Sequence, residues 1–269
     1  MSNVHTSTKS GRVRVDLSKL GWAGVTTNNV RLELQVDTAA GSGLTVPFDL
    51  SEIAEKDVVY EAASNTTTMA FGGNPAAAAC FVENGWSNDN VVCNGLPTNR
   101  TVSSRDAELG EYTLLTYDKK NVIELATADG AAAETQVIEV PHHRYSKIGL
   151  LVSAEGGEAS FTIKLNYLDG TTVTEWFEAD DWYQLTRTWN LSGAVTNMAR
   201  VIASNGTVNA TNHFNIYEFI YSNIDTTKVL KSIAVGNDPN RWPGDQSSYA
   251  GIFAINGRAF ALTNAPHFL

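Results

Sequence analysis

The sequence predicts an all-β protein, an antiparallel β-sandwich, and three observations carry that expectation. Short runs with an apolar residue at every second position recur along the chain, separated by Gly, Asn, Asp and Pro. No apolar pattern with the three- and four-residue spacing of a helix persists beyond about twelve residues, so a parallel sheet would lack its crossover helices. Charged residues make up 18% of the chain against 43% hydrophobic, below the roughly 25% charge of an average domain. The surface must then be uncharged and polar. Asn, Thr, Ser and Gly supply it, and each competes with helical hydrogen bonds or costs a helix backbone entropy.

In chain order, strands are expected at residues 30–36, 45–50, 58–62, 112–117, 122–127, 135–140 and 147–154. The series continues at 159–167, 171–177, 182–186, 199–202, 215–220, 229–235 and 252–262, a spacing that fits a sandwich or barrel. Residues 161–177 form the best local hairpin, because Asp169-Gly170 supplies the positive φ angles of a tight turn. Alternation places Phe161, Ile163, Leu165 and Tyr167 on a core face and Thr162, Lys164 and Asn166 on a wet one. Helix signals are confined to 50–56, where Ser51 stands at a capping position, and 75–81, where Pro precedes four Ala. Each is long enough for one or two turns. Residues 72–106, rich in Gly, Asn, Pro and Ser, read as an irregular loop, either functional or a boundary. The 269 residues therefore read as a single elaborated sandwich over 1–269, or as a β region at 1–110 followed by a sandwich at 111–269.

Several function classes fall away on composition. The net charge is −10, from 19 Lys plus Arg against 29 Asp plus Glu, and the densest basic stretch is Lys9, Arg12 and Arg14. Neutralising a phosphate backbone needs clustered cations, so no nucleic acid partner is expected. No apolar stretch approaches the ~18 residues of a spanning helix, so no membrane insertion is expected either. No GxSxG, HExxH, Walker loop or GxGxxG occurs, which leaves the common enzyme classes without their local signatures. Cys80 and Cys93 are spaced so that one disulfide could close between them; the alternative is two free thiols, one of them buried. Neither belongs to a CxxC, and His142 and His143 are distant in sequence, so zinc is not expected.

A specific likeness emerges from the later half of the chain. The residues are VP at 140–141, YSKIGLLVSA at 145–154, YLDGTT at 167–172, DDWY at 180–183, KSI at 231–233 and IFAI at 252–255. Together they resemble a galactose-binding-like jelly-roll domain over about 139–262, with VPFD at 46–49 as a looser match. Domains of this kind are appended to glycoside hydrolases and other secreted carbohydrate-active proteins. The resemblance implies a jelly-roll sandwich, a glycan partner and an extracellular or cell-surface setting. The polar start, Met1 to Ser10, shows no secretory pattern of its own.

Sugar recognition needs aromatic faces for the apolar sides of the ring, and amides, carboxylates and Arg for its hydroxyls. Asn240, Arg241, Trp242, Asp245 and Tyr249 lie between two expected strands and form the first candidate ligand surface; the alternative is that Trp242 packs on the sandwich edge. Trp86 and Asn88 form the second, against the alternative of an Asn-rich structural turn. His143, between His142 and Arg144, stands at the start of a strand, as a ligand contact or a solvated residue at the mouth. Asp180 and Asp181 invite acid/base chemistry, but the resemblance makes Asp-Trp a packing feature with Trp182 turned inward, so no catalytic residue is assigned. The loops also offer hard-oxygen ligands that could hold a structural Ca2+, Asp89 and Asp238 with Asn88, Asn90 and Asp245, although they form no defined ligand loop; no other cofactor is expected. The function expected is non-catalytic, lectin-like binding of a neutral glycan or polysaccharide. Two alternatives stand beside it: a self-assembling surface or filament subunit, hence a homo-oligomer, and a polysaccharide hydrolase or lyase.

Overall fold

The structure, a computed structural model, describes residues 43–61, 71, 79–88, 90–126, 134–183, 191–202, 206–237 and 248–260. All of them fall within one compact unit, Thr38–Leu269; the other, Met1–Asp37, lies outside the described residues together with the strand expected at 30–36. The early strands are β1 (Leu44–Pro47), β2 (Val59–Tyr60), β3 (Ala79–Val82), β4 (Ser87–Asn88) and β5 (Val91–Val92). Next come β6 (Thr101–Ser103), β7 (Glu111–Thr113), β8 (Ile123–Ala126), β9 (Thr135–Glu139) and β10 (Tyr145–Glu155). The last six are β11 (Ala159–Tyr167), β12 (Thr172–Ala179), β13 (Ser192–Ile202), β14 (Val208–Tyr221), β15 (Leu230–Asn237) and β16 (Tyr249–Ala259). No helix occurs among the described residues, and the protein is an all-β sandwich as expected.

One sheet has the order β1-β16-β10-β14-β13-β3-β2, with β8 also paired to β16; the other has the order β12-β11-β15-β9. From β9 onward the chain passes back and forth between them, β10, β13, β14 and β16 in the large sheet and β11, β12 and β15 in the small one. Pairing is antiparallel except between β2 and β3. The 11 residues of β16 are shared along one edge: β8 takes Tyr249 to Ile252 and β1 takes Asn256 to Ala259.

The hairpin alternation holds. Phe161, Ile163, Leu165 and Tyr167 are buried against Leu150, Val152, Tyr217 and Ile252 of the facing sheet. Its turn differs from the two-residue form. Asn166 pairs with Thr172 and Tyr167 N donates to Thr171 O (3.0 Å), leaving Leu168, Asp169 and Gly170 as a three-residue loop in which Gly170 alone has positive φ. Asp169 Oδ1 accepts from the backbone N and the hydroxyl of Thr171, which closes the turn without a second such residue.

The large sheet is apolar on both faces. Leu151, Met198, Phe214, Ile216 and Phe253 point away from the small sheet into a second core with Val58, Phe81, Val102, Tyr112, Leu114 and Trp182. A sheet buried on both faces reads as continuous apolar runs, as β10 and β16 do. The second cover is the segment from β2 to β7, where an irregular loop was expected at 72–106. β3 to β6 lie in that stretch instead, and of the helix expected at 75–81 the described part, 79–81, is strand β3, whose Cys80 and Phe81 are fully buried between β2 and β13, while 75–78 lie outside the described residues. Burial and ladder bonds override the helix propensity of Ala there. At 50–56 a single hydrogen-bonded turn forms, Ala54 N to Leu50 O at 2.9 Å. The strand expected at 182–186 begins as a turn, its later residues lying outside the described ones. β13 runs well ahead of the expected 199–202; Gly193 and Asn197 weaken its signal, the register shifts three times along it, and Asn197 sits at φ 60. Cys80 and Cys93 are free, buried thiols, and burial raises both above the ordinary thiol range.

Polar anchors fix the cover to the sheet. Glu218 of β14, 1% exposed, accepts from the hydroxyls of Ser104 (2.5 Å) and Tyr112 (2.7 Å) and from the backbone N of Arg105 (3.0 Å). Asn256 of β16 donates to Leu109 O (3.0 Å) and Glu111 O (2.9 Å). Opposite Tyr112 stands Gly149, where a Cβ would lie 2.0 Å from the phenolic oxygen. Replacing Glu218 by Ala strands the buried Tyr112 hydroxyl and takes the acceptor from the part-buried Ser104 hydroxyl and Arg105 amide, and is expected to cost about 2 kcal/mol in urea unfolding. A loss below about 1 kcal/mol would mean that apolar packing alone holds the cover in place.

Candidate functional site

An open cleft of about 560 Å³ forms where β10 turns into β11 and the chain leaves β12, lined by Glu155, Gly156, Gly157, Asp181, Trp182, Tyr183 and Arg200. Its walls follow from local bonding. The turn uses Gly156 and Gly157 at φ 81 and 122, values that only glycine adopts at little cost. After β12, Ala154 N donates to Asp180 O (2.9 Å) and Trp182 N donates to Ala154 O (2.7 Å), so 180–182 lies beside the end of β10. Asp181 accepts from Gly157 N (2.8 Å) and Tyr183 N (2.7 Å), one bond per oxygen, which ties the two loops together. Asp180 is fully buried and Trp182 is 2% exposed.

Trp182 forms the floor, its ring within 5.4 Å of Phe71, Phe81 and Phe214. Arg200 of β13 lies over that floor, its guanidinium 5.7 Å from the Trp182 ring and 4.7 Å from the Phe214 ring, a cation–π seat. Tyr183 stands at the rim, 52% exposed, steadied edge-on by His213 at 5.6 Å and tilted on Phe214 at 5.5 Å. Glu155 is 8% exposed. Two buried atoms in this cleft have no hydrogen-bond partner among the described residues: Glu155 Oε2, an acceptor, and Arg200 Nε, a donor. Burial, and then the charge of Asp181, pushes the Glu155 carboxyl up to about 7.

Asp181 and Trp182, weighed from sequence as acid/base and packing residues, line this cleft, and of the described residues expected to contact ligand Tyr249 lies beside it. Tyr249 is the first residue of β16, opposite Glu155 in the ladder, with the Lys56 ammonium 5.7 Å from its ring. Trp86 is 5% exposed, packed with Cys80, Val82 and Val201, and tilted on Tyr60 at 5.4 Å. Asn88 donates to Gly206 O at 2.8 Å, a tie between β4 and the start of β14. His143 is 8% exposed and packs edge-on to Tyr145 at 6.0 Å, turned into the sandwich and not out from its mouth. Asp89, Asp238, Asn240, Arg241, Trp242 and Asp245 lie outside the described residues. Among the described residues no three His, Cys, Asp or Glu side chains gather as a metal would need.

Glu155 and Arg200 escaped the sequence reading. A carboxylate ending the apolar run at 147–154 and followed by two glycines was a usable signal for Glu155. Arg200 gave none, since it is one cation alternating with Ala199 and Val201.

The sequence matches no protein-family model and no curated protein. Among solved structures, the chain is similar to TmCBM61 in complex with β-1,4-galactotriose, at 12% identity over 59% of this chain and 80% of that one, with a TM-score of 0.25. It is also similar to the family 11 carbohydrate-binding module of the cellulosomal cellulase Lic26A-Cel5E of Clostridium thermocellum, at 11% identity over 57% and 84% of the chains and a TM-score of 0.27. The family 11 module from Clostridium thermocellum in complex with a β-1,3-1,4-mixed-linked tetrasaccharide gives 12% identity, 56% and 84% coverage and the same TM-score, 0.27.

Proposed function

We propose that the protein is a carbohydrate-binding β-sandwich that holds a neutral glycan or polysaccharide, without altering it, in the cleft beside Tyr183. The single observation behind this is the grouping of an exposed phenol ring with a buried acceptor and a buried donor that have no hydrogen-bond partner among the described residues. A buried polar atom without a partner costs free energy, and two neighbouring hydroxyls of a sugar would satisfy both, one donating to Glu155 and one accepting from Arg200. The Tyr183 ring supplies an apolar surface for the C–H side of the pyranose. Asp181 has both oxygens committed to backbone N–H groups, a turn-forming duty that suits binding better than proton transfer.

A second reading, cleavage of the polysaccharide, is favoured by one observation: a carboxyl at about 7 can hand over a proton near neutral pH. New reducing ends from a bound polysaccharide, absent with Glu155→Gln, would establish it.

The state of Glu155 sets the pH behaviour. Its folded value of about 7 stands above the ordinary 4.5, so between these the native state keeps a proton that the unfolded chain has released. This contribution favours the fold fully below 4.5 and is lost as pH rises through 7. Glu155→Gln removes a charge that becomes buried at high pH, and is expected to stabilise the protein by about 1–2 kcal/mol at pH 8, with the gain disappearing by pH 4. Equal denaturation midpoints for the two proteins at pH 8 would contradict this. Tyr183→Ala is expected to weaken retention in affinity electrophoresis about tenfold while leaving the thermal midpoint almost unchanged, since the ring is a rim residue. Failure of the wild-type chain to be retarded by any neutral polysaccharide, or retardation untouched by Tyr183→Ala, would remove the assignment.

A further inference from the structure

A second cavity, sharing no lining residue with the Tyr183 cleft, encloses about 390 Å³ between the chain leaving β1, the chain leaving β7 and the outer face of β16. Phe48, Leu50, Leu114 and Phe253 give it apolar walls, and Arg100 and Lys119 bring two cations to it. We propose that this cavity is a binding site for a small amphipathic anion, a carboxylate or sulfate carried on an apolar body.

Charge pairing is the first support. The chain carries 29 acidic residues and a net charge of −10, yet neither Arg100 nor Lys119 forms an ion pair among the described residues. Arg100 has one long contact, Nη1 to Leu114 O at 3.5 Å. The one acid in the lining, Asp49, is committed elsewhere: its Oδ1 accepts from Ser51 N at 2.9 Å, and that bond holds it below the ordinary carboxylate range with no contribution from either cation. The half-buried Arg100 and the exposed Lys119 thus outnumber the one carboxylate of the lining and pair with no acid among the described residues, so an anion entering beside them would supply the missing counter-charge.

Backbone conformation is the second. Arg100 has φ 59, a left-handed value uncommon outside glycine and asparagine. It is held there by Arg100 N donating to Pro97 O (2.8 Å) and Leu114 N donating to Arg100 O (2.8 Å), which bring the guanidinium to the cavity. Glycine would suit that position better for the fold alone, and side chains kept in such conformations cluster at ligand sites. The volume lies within the range of small-molecule pockets, whose walls are mainly apolar with a few convergent polar groups.

The test uses the full chain and two fluorescent probes of one shape, 1-anilinonaphthalene-8-sulfonate and the uncharged N-phenyl-1-naphthylamine. The sulfonate is expected to bind saturably at one site, to be displaced by decanoate and not by decanol, and to weaken at least about tenfold in Arg100→Gly. The uncharged probe should lose less than about twofold affinity in the same variant. Because Gly relieves the left-handed strain, the thermal midpoint of Arg100→Gly should be equal to or above that of the wild type. Lys119→Gln is the second variant, expected to weaken the sulfonate in the same direction. Absence of saturable binding to the native chain, equal loss of both probes, or unchanged sulfonate affinity in both variants would overturn the proposal.

Discussion

A sheet that is apolar on both faces cannot be left with one of them in water, and this constraint organises the whole molecule. The small sheet covers one face of β10, β14 and β16 through alternating residues of β11, β12 and β15. The other face is closed by an assembly of short strands and loops from β2 to β7. Short strands bring little ladder bonding of their own, so their attachment relies on side chains crossing from the sheet. Glu218 and Asn256 do this from the second core, each binding backbone or hydroxyl groups of the cover, while Gly149 keeps the space that Tyr112 fills. The arrangement is self-consistent: a buried carboxylate is tolerated because three donors converge on it.

The same constraint explains where the polar clefts lie. With both faces of the large sheet closed, hydroxylated or charged partners are left the strand ends and the seams of the cover. The Tyr183 cleft occupies a strand end, where Gly156-Gly157 and 180–183 meet through Asp181. The Arg100 cavity occupies a seam, between the cover and the outer face of β16. In the first, an aromatic floor of Trp182 and Phe214 seats a guanidinium. In the second, apolar walls meet two cations, so the two spaces suit chemically different guests.

Legibility in the sequence followed the same lines. The alternating β11 and the apolar β10, β15 and β16 could be read because their periodicity records which faces are covered. β13 was seen only in its last residues, since a bulged strand with Gly193 and an αL Asn197 loses the period-two signature. The start of β3 reads as the end of a helix because four Ala after Pro favour one locally, whereas the place of 79–82 between β2 and β13 is decided by partners far along the chain. The site was less legible than the fold. Trp86 and His143 are residue types that serve equally in a core and at a binding face, and sequence carries no measure of burial. Glu155 and Arg200 meet only because a β10 end and a β13 residue are folded together, a juxtaposition with no trace in local spacing.

The buried thiols give the molecule an internal reporter. Cys80 is fully enclosed, its Sγ donating to Val201 O at 3.3 Å across the β3–β13 pair, and its thiolate is strongly disfavoured by burial. Alkylating reagents attack the thiolate, so in the native state this sulfur is chemically silent. Labelling would proceed only in excursions that peel β3 from its neighbour. The rate of modification at Cys80 thus clocks the opening of the cover separately from melting of the sandwich beneath it, without any engineered probe.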